Sequence, residues 1–181
     1  MPGYIYFFLM ITNSRIQNSI LTNRLILKKL RVDDYDFILS LVNSKGWIEN
    51  IGDRNVHSKD EAIEYINKIL WTENFIYWVV RTKDEHTPIG IISLIKRSYL
   101  ENFDIGFAFL PQYNHYGYAY EAATAVLSII TKLPDFKIVL ATTLFSNESS
   151  IKLLKKLGFR YEKENETENQ NMHIYTNAPL P

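Results

Sequence analysis

At Gly117 the repeat of the hydrophobic pattern switches from two residues to between three and four, and this switch limits the folds open to the chain. Upstream, "FIYWVVRT" (Phe75 to Thr82), "IGIISLIKR" and "NFDIGFAFL" are dense in β-branched and aromatic residues, the composition of strands. Between the first two, "KDEHTP" (Lys83 to Pro88) offers hairpin-loop chemistry, so the three strands form an antiparallel meander. Downstream, Ala119, Ala122, Ala123, Val126, Ile130 and Leu133 fall three or four apart, the stripe of a buried helix face. A chain with only 7 glycines in 181 residues sets one at this junction, between two tyrosines. A strand therefore feeds a helix through a glycine turn.

The flanking elements complete an alternating pattern. "RLILKKL" (Arg24 to Leu30) fits a first strand, and "VDDYDFILSLV" fits a helix started by Asp33 or Asp34. "SKDE" (Ser58 to Glu61) has capping-box spacing and precedes Ala62, Ile66 and Ile69 on one helical face. After the Gly117 helix, "FKIVLATTLF" is strand again. "NESSIKLLKKLGF" then reads as a helix with Asn147 as N-cap, Ile151, Leu154 and Leu157 as its stripe, and Gly158 as its left-handed stop. "RYEKE" and "MHIYT" form a last strand pair, with the polar "EKENETENQN" as the turn between them. The expected order is β-α-α-β-β-β-α-β-α-β-β.

Charge and composition narrow the function. Lys plus Arg equals Asp plus Glu, 20 against 20, so no whole-chain field points to nucleic acid or an anionic membrane. Without cysteine there is no thiol nucleophile, no disulfide and little scope for structural zinc. His57, His86, His115 and His173 lie far apart with no metal-type pair, so no metal site is expected. The N-terminal "YIYFFLMI" is shorter than the roughly 20 residues of a membrane span, and no basic run precedes it as in a signal peptide. A cytoplasmic protein is expected, with residues 1–20 as an extension (an extra strand, an interface segment or an upstream start) and residues 21–181 as a single domain.

A helix N-terminus leaves backbone N–H groups without intrahelical partners and carries partial positive charge, so a glycine turn that enters a helix can cradle phosphate oxygens. "NHYGYAYEA" has this form, although a glycine before a helix is also an ordinary strand-to-helix turn. Neither a P-loop nor a dinucleotide fingerprint is present.

The arrangement resembles the GNAT superfamily of N-acetyltransferases. That family's pyrophosphate loop runs (Gln or Arg)-x-x-Gly-x-(Gly or Ala), and here Asn114, His115, Tyr116, Gly117, Tyr118 and Ala119 occupy those places. "NESSIKLLKKLGF" is similar to the family's N-x-x-S-x-x-x-L-x-x-x-G-F signature. "TNRLILKKL", "NIGDRNVHSKDEAIEYI" and "DIGFAFLPQYN" look like the ribosomal-protein-acetyltransferase-like branch, so the resemblance covers roughly residues 21–176. It implies an α/β (α+β) GNAT fold whose mixed, mostly antiparallel central sheet has about six to seven strands with helices on both faces. It also implies acetyl-CoA as co-substrate, with no metal, and an amine acceptor: a small molecule or a protein N-terminus. A non-catalytic acyl-CoA-binding module of the same fold is the alternative, and the assembly is a monomer or homodimer.

The resemblance implies roles residue by residue. Phe109 and Leu110 lie nearest the acetyl group, on a strand whose exposed backbone pairs with the pantetheine arm. Asn114, His115, Tyr116, Gly117, Tyr118 and Ala119 hold the pyrophosphate, and Asn147 and Ser150 contact the pantetheine or cap their helix. Asn114 stands where the family has Gln or Arg, so the loop brings no side-chain cation of its own, and Lys152 or Lys155 would have to assist. Asp104 is the catalytic candidate, either a base that takes the amine's proton or a strand-end carboxylate facing solvent; Glu101 is the reserve. Tyr161 fits the thiolate's acid poorly, and Trp47, Trp71 and Trp78 either line an acceptor pocket or pack the core.

Overall fold

The computed structural model describes residues 16–167 and 170–179; the "YIYFFLMI" segment lies outside them. One eight-stranded sheet organises the chain, in the order β1-β2-β3-β4-β5-β6-β8-β7. The strands are β1 (Ser19–Leu21), β2 (Leu25–Lys29), β3 (Phe75–Thr82), β4 (Pro88–Ile95), β5 (Asp104–Phe109), β6 (Leu140–Leu144), β7 (Arg160–Thr167) and β8 (Gln170–Thr176). Among the described residues there are five α-helices, α1 (Tyr35–Val42), α2 (Lys45–Asn50), α3 (Lys59–Trp71), α4 (Tyr118–Ile130) and α5 (Glu148–Lys156). Every paired neighbour is antiparallel except β5 and β6.

Three features correct the sequence-based expectation. The sheet has one strand more than expected, because Ser19–Leu21 pairs with β2 and sets Ile20 in the core. A third helix, α2, stands before β3; with six residues and a single buried side chain, Trp47, it is too short to show a stripe. The polar "EKENETENQN" is mostly strand: β7 runs to Thr167 and β8 begins at Gln170. At the sheet edge backbone pairing does not demand an apolar face, so the hairpin continues in hydrophilic sequence.

Alternation along the strands builds a core on each face. Trp78, Val80, Ile92 and Leu94 join Ala122, Ala123, Val126 and Ile130 of α4. Val79 and Ile91 point the other way, to Phe37 and Leu41 of α1 and to Ala62 and Ile66 of α3. A bulge interrupts the alternation, because Val80 pairs with Gly90 and Arg81 with Pro88. Ile89 is thus the extra residue, and it joins the α4 side with Ile92 and Leu94. A Cβ at Gly90 would collide with the Phe109 ring, so this glycine is what lets Phe109 lie across β4.

Three of the helix signals act as their chemistry requires, while Asp34 stands at the N-cap position of α1 but turns its carboxylate to Arg31 N and Arg81. Ser58 Oγ accepts from Glu61 N at 3.3 Å, while the Glu61 carboxylate reaches back to His57 N at 2.7 Å. Asn147 Oδ1 accepts from Ser150 N at 3.1 Å. Gly158, at φ 86°, ends α5: its N–H donates to Lys155 O at 3.1 Å and Phe159 N to Leu154 O at 3.0 Å, the paired bonds of a Schellman stop.

Candidate active site

Strands β5 and β6 run parallel and pair only at Asp104 with Leu140. Beyond that point the edge of β5 facing β6 has no ladder partner, and a cleft of about 1250 Å³ opens between the strands. Asp104 sits at the head of this divergence and is 2% exposed, so the solvent-facing alternative does not hold. Its carboxylate accepts from Thr142 N at 2.9 Å and from Thr142 Oγ1 at 3.2 Å, both on β6. Arg97 Nε donates to it at 2.5 Å. Burial pushes the Asp104 carboxyl above the ordinary aspartate value, against the opposing pull of Arg97 and Thr142. A β6 amide is thus held by a side chain of β5 instead of its backbone.

At the other end of β5 the chain turns through residues 110–117 into α4. His115 and Gly117 both have positive φ, 68° and 79°. A Cβ at Gly117 would meet nothing nearer than Arg24 Nη2 at 3.6 Å, so glycine is favoured there by its backbone conformation and not by lack of room. The first intrahelical bond of α4 runs from Glu121 N to Gly117 O at 3.1 Å. The amides of Tyr118, Ala119 and Tyr120 precede it and form the helix's positive end.

Two residues that sequence reasoning did not single out shape this loop. Arg24, in the bend just before β2, donates from Nη1 to Tyr116 O at 3.0 Å and from Nε to Glu121 at 2.7 Å. Its guanidinium lies 4.6 Å from the centroid of the Tyr118 ring. Glu121 also accepts from Arg24 N at 2.8 Å and from Thr22 Oγ1 at 2.6 Å. Burial works to raise the Glu121 carboxyl, but these bonds from Thr22 and Arg24 outweigh it and hold the group below the usual glutamate value. A lone acid in the first turn of an otherwise apolar helix was the available signal.

Of the expected site residues, Asp104, Phe109, Asn114, His115, Ala119, Asn147 and Ser150 line the cleft together. Leu110 is buried with the α1 and α3 side chains. Tyr116 is exposed and stacks on Tyr118 at 5.8 Å between centroids. Lys152 reaches the cleft but pairs with Glu148 at 3.1 Å. Tyr161 packs edge-on against His173 and Tyr175 on the far hairpin. Of the tryptophans Trp47 lines the cleft, Trp78 is core and Trp71 is exposed.

Opposite the loop, the cleft is walled by α2, α3 and the sheet face bearing Phe75 and Tyr77. Burial raises the hydroxyl pKa of both Tyr65 and Tyr77, so both stay neutral donors at pH 7. Arg54 lies 6.0 Å from the Trp47 ring centroid, and its charge opposes, without offsetting, the effect of burial on Tyr65. Among the described residues no cluster of His, Cys, Asp or Glu could hold a metal ion, and no helix is long and apolar enough to cross a membrane.

The comparisons agree with this geometry. Residues 24–160 match the family described as "Acetyltransferase (GNAT) domain". The chain is 29% identical over 143 residues to the uncharacterized N-acetyltransferase YnaD of Bacillus subtilis, covering 79% of this chain and 83% of that protein. A GNAT-family acetyltransferase from Bacillus anthracis superposes with a TM-score of 0.72 at 23% identity, covering 87% of this chain and 96% of its own. RimL, a ribosomal L7/L12 alpha-N-protein acetyltransferase solved with coenzyme A, superposes with a TM-score of 0.76 at 14% identity, over 87% of this chain and 96% of that one. A splayed parallel strand pair, a glycine turn into α4 and a family match that runs from Arg24 into β7 lead to one conclusion: the chain belongs to the GNAT family of acetyltransferases.

Proposed function

We propose that this chain moves the acetyl group of acetyl-CoA to a primary amine that enters from the α2–α3 side of the cleft. One observation carries the reading: a single cleft joins the α4 N-terminal loop to the α3 wall through the gap between β5 and β6. The pyrophosphate is assigned to the loop 114–119, where free amides and the helix dipole coincide. The pantetheine arm is assigned to the unpaired edge of β5, in the manner of an added strand, with Asn147 and Ser150 opposite. In the transfer an N–C amide bond forms and the thioester C–S bond breaks. The sulfur keeps the electron pair and takes up one proton, and the amine gives one up.

Asp104 is the single carboxylate lining the cleft among the described residues, so we assign it the amine's proton. Three contacts already occupy its oxygens, out of about four lone-pair sites on a carboxylate. Asp104→Asn is expected to lower kcat by roughly 100-fold, the usual scale of general base catalysis, with CoA binding retained. A kcat within about threefold of wild type removes Asp104 from proton transfer and leaves it a tie between strands.

The reading as a whole is tested by thiol release from acetyl-CoA with a panel of primary amines, beside heat stabilisation by CoA. Amine-dependent release is expected. Stabilisation by CoA with no release for any amine would overturn the transfer reading.

A further inference from the structure

The acceptor end of the cleft is unevenly charged. Arg54 and Lys68 both line it, and neither pairs with a carboxylate among the described residues. The one acid in the lining, Asp104, is already paired with Arg97. Arg54 is also oriented: its guanidinium lies over the Trp47 ring, 6.0 Å from the centroid. Beyond these cations the wall is aromatic, with Trp47, Phe75 and Tyr77. A polyamine or other polycationic acceptor would meet like charge here without a compensating carboxylate, at a cost in affinity.

We infer that the acceptor is a small amine that also carries a carboxylate, an amino acid or close derivative with an apolar or aromatic side chain. Arg54 and Lys68 take the carboxylate, the aromatic wall takes the side chain, and the amine is left toward the β5–β6 gap. Guanidinium suits the first role because its planar donors match a carboxylate's two oxygens. This inference rests on the acetyltransferase reading for the direction of the amine, but the charge preference itself does not require turnover.

Two measurements separate the inference from that reading. In the first, kcat/KM per neutral amine is compared for L-phenylalanine, L-phenylalaninamide, phenethylamine and spermidine. Phenylalanine is expected to exceed the two uncharged-tail partners by roughly tenfold to hundredfold, the range of a charge-assisted contact. Arg54→Gln and Lys68→Gln should each shrink that ratio, with heat stabilisation by CoA as the check that each variant is folded. In the second, N-acetyl-L-phenylalanine and N-acetylphenethylamine are titrated into the CoA-bound protein by calorimetry. The carboxylate-bearing ligand is expected to bind at least about tenfold tighter, and Arg54→Gln to erase the difference. Turnover with spermidine or phenethylamine equal to that with phenylalanine overturns the inference while acetyl transfer stands. Absence of turnover with a preserved binding preference supports the inference and overturns transfer. Equal binding of the two acetylated ligands overturns the inference whatever the turnover.

Discussion

Two arginine–carboxylate pairs brace the cleft, one at each end of β5. At the loop end, Arg24 and Glu121 are 44% and 18% exposed at their side chains, and their bonds tie β2 to α4 and to the Tyr116 carbonyl. At the divergence, Arg97 is 36% exposed but Asp104 only 2%, and its bonds tie β5 to β6. At the loop end both partners are partly open to water, whereas at the divergence Arg97 is and Asp104 is not. A lost partner at the divergence therefore strands a buried charge, whereas a lost partner at the loop frees a segment.

The largest expected effect follows from that difference. Arg97→Met leaves the Asp104 carboxylate with Thr142 alone and should lower unfolding stability by about 3 kcal/mol, read from urea denaturation. A loss under about 1 kcal/mol would mean that solvent reaches Asp104, and the contrast between the two ends would fail.

Glu121→Gln comes next, at about 1–2 kcal/mol, because it weakens three hydrogen bonds at a partly exposed site. Its pH dependence has a definite sign. The folded Glu121 carboxyl lies below its ordinary value, so its stabilisation is fully present above an unfolded glutamate's value of about 4.3 and is lost as pH falls through the lower folded value. The melting temperature of wild type should exceed that of Glu121→Gln at pH 7 and converge on it under acid. A gap that widens on acidification would contradict the assignment.

Gly117→Val sharpens the loop side of the contrast. At φ 79° a β-branched side chain is strained whatever the room around it, by about 1–2 kcal/mol. The loop is expected to relieve that strain by moving, so heat stabilisation by CoA should vanish while the apo protein stays folded. Unchanged stabilisation would take the loop out of the coenzyme site.

The contrast also explains what was legible in the sequence. The Asn147 cap, the Gly158 stop, the Ser58 cap and the Gly117 turn are local, set by a residue and its neighbours within a few positions, and all were readable. Asp104 could be singled out as a lone acid on an apolar strand, but its partners Arg97 and Thr142 come from the β4–β5 connection and from β6. Arg24 and Glu121 stand 97 positions apart, and their meeting depends on where β2 and α4 settle on the sheet. The short helix α2 and the polar continuation of the last strand pair escaped for another reason: neither has a hydrophobic stripe, so pairing and tertiary contact alone specify them.

The smallest effect concerns the cation that the loop does not carry. Arg24 supplies one from outside, but it is spent on Glu121 and the Tyr116 carbonyl and does not line the cleft. Asn114 does line it, in an extended conformation with φ −70° and ψ 155° that arginine adopts without strain. Asn114→Arg is expected to tighten CoA by about 1 kcal/mol, a charge-assisted contact discounted for exposure. Because the new cation acts through an exposed ion pair, the gain should shrink as ionic strength rises, which calorimetric titration at low and high salt would read. A gain insensitive to salt would mean that the substitution reorganised the loop instead of adding charge. An affinity no higher than wild type would mean that the amides of α4, held in place by Arg24 and Glu121, already satisfy the pyrophosphate unaided.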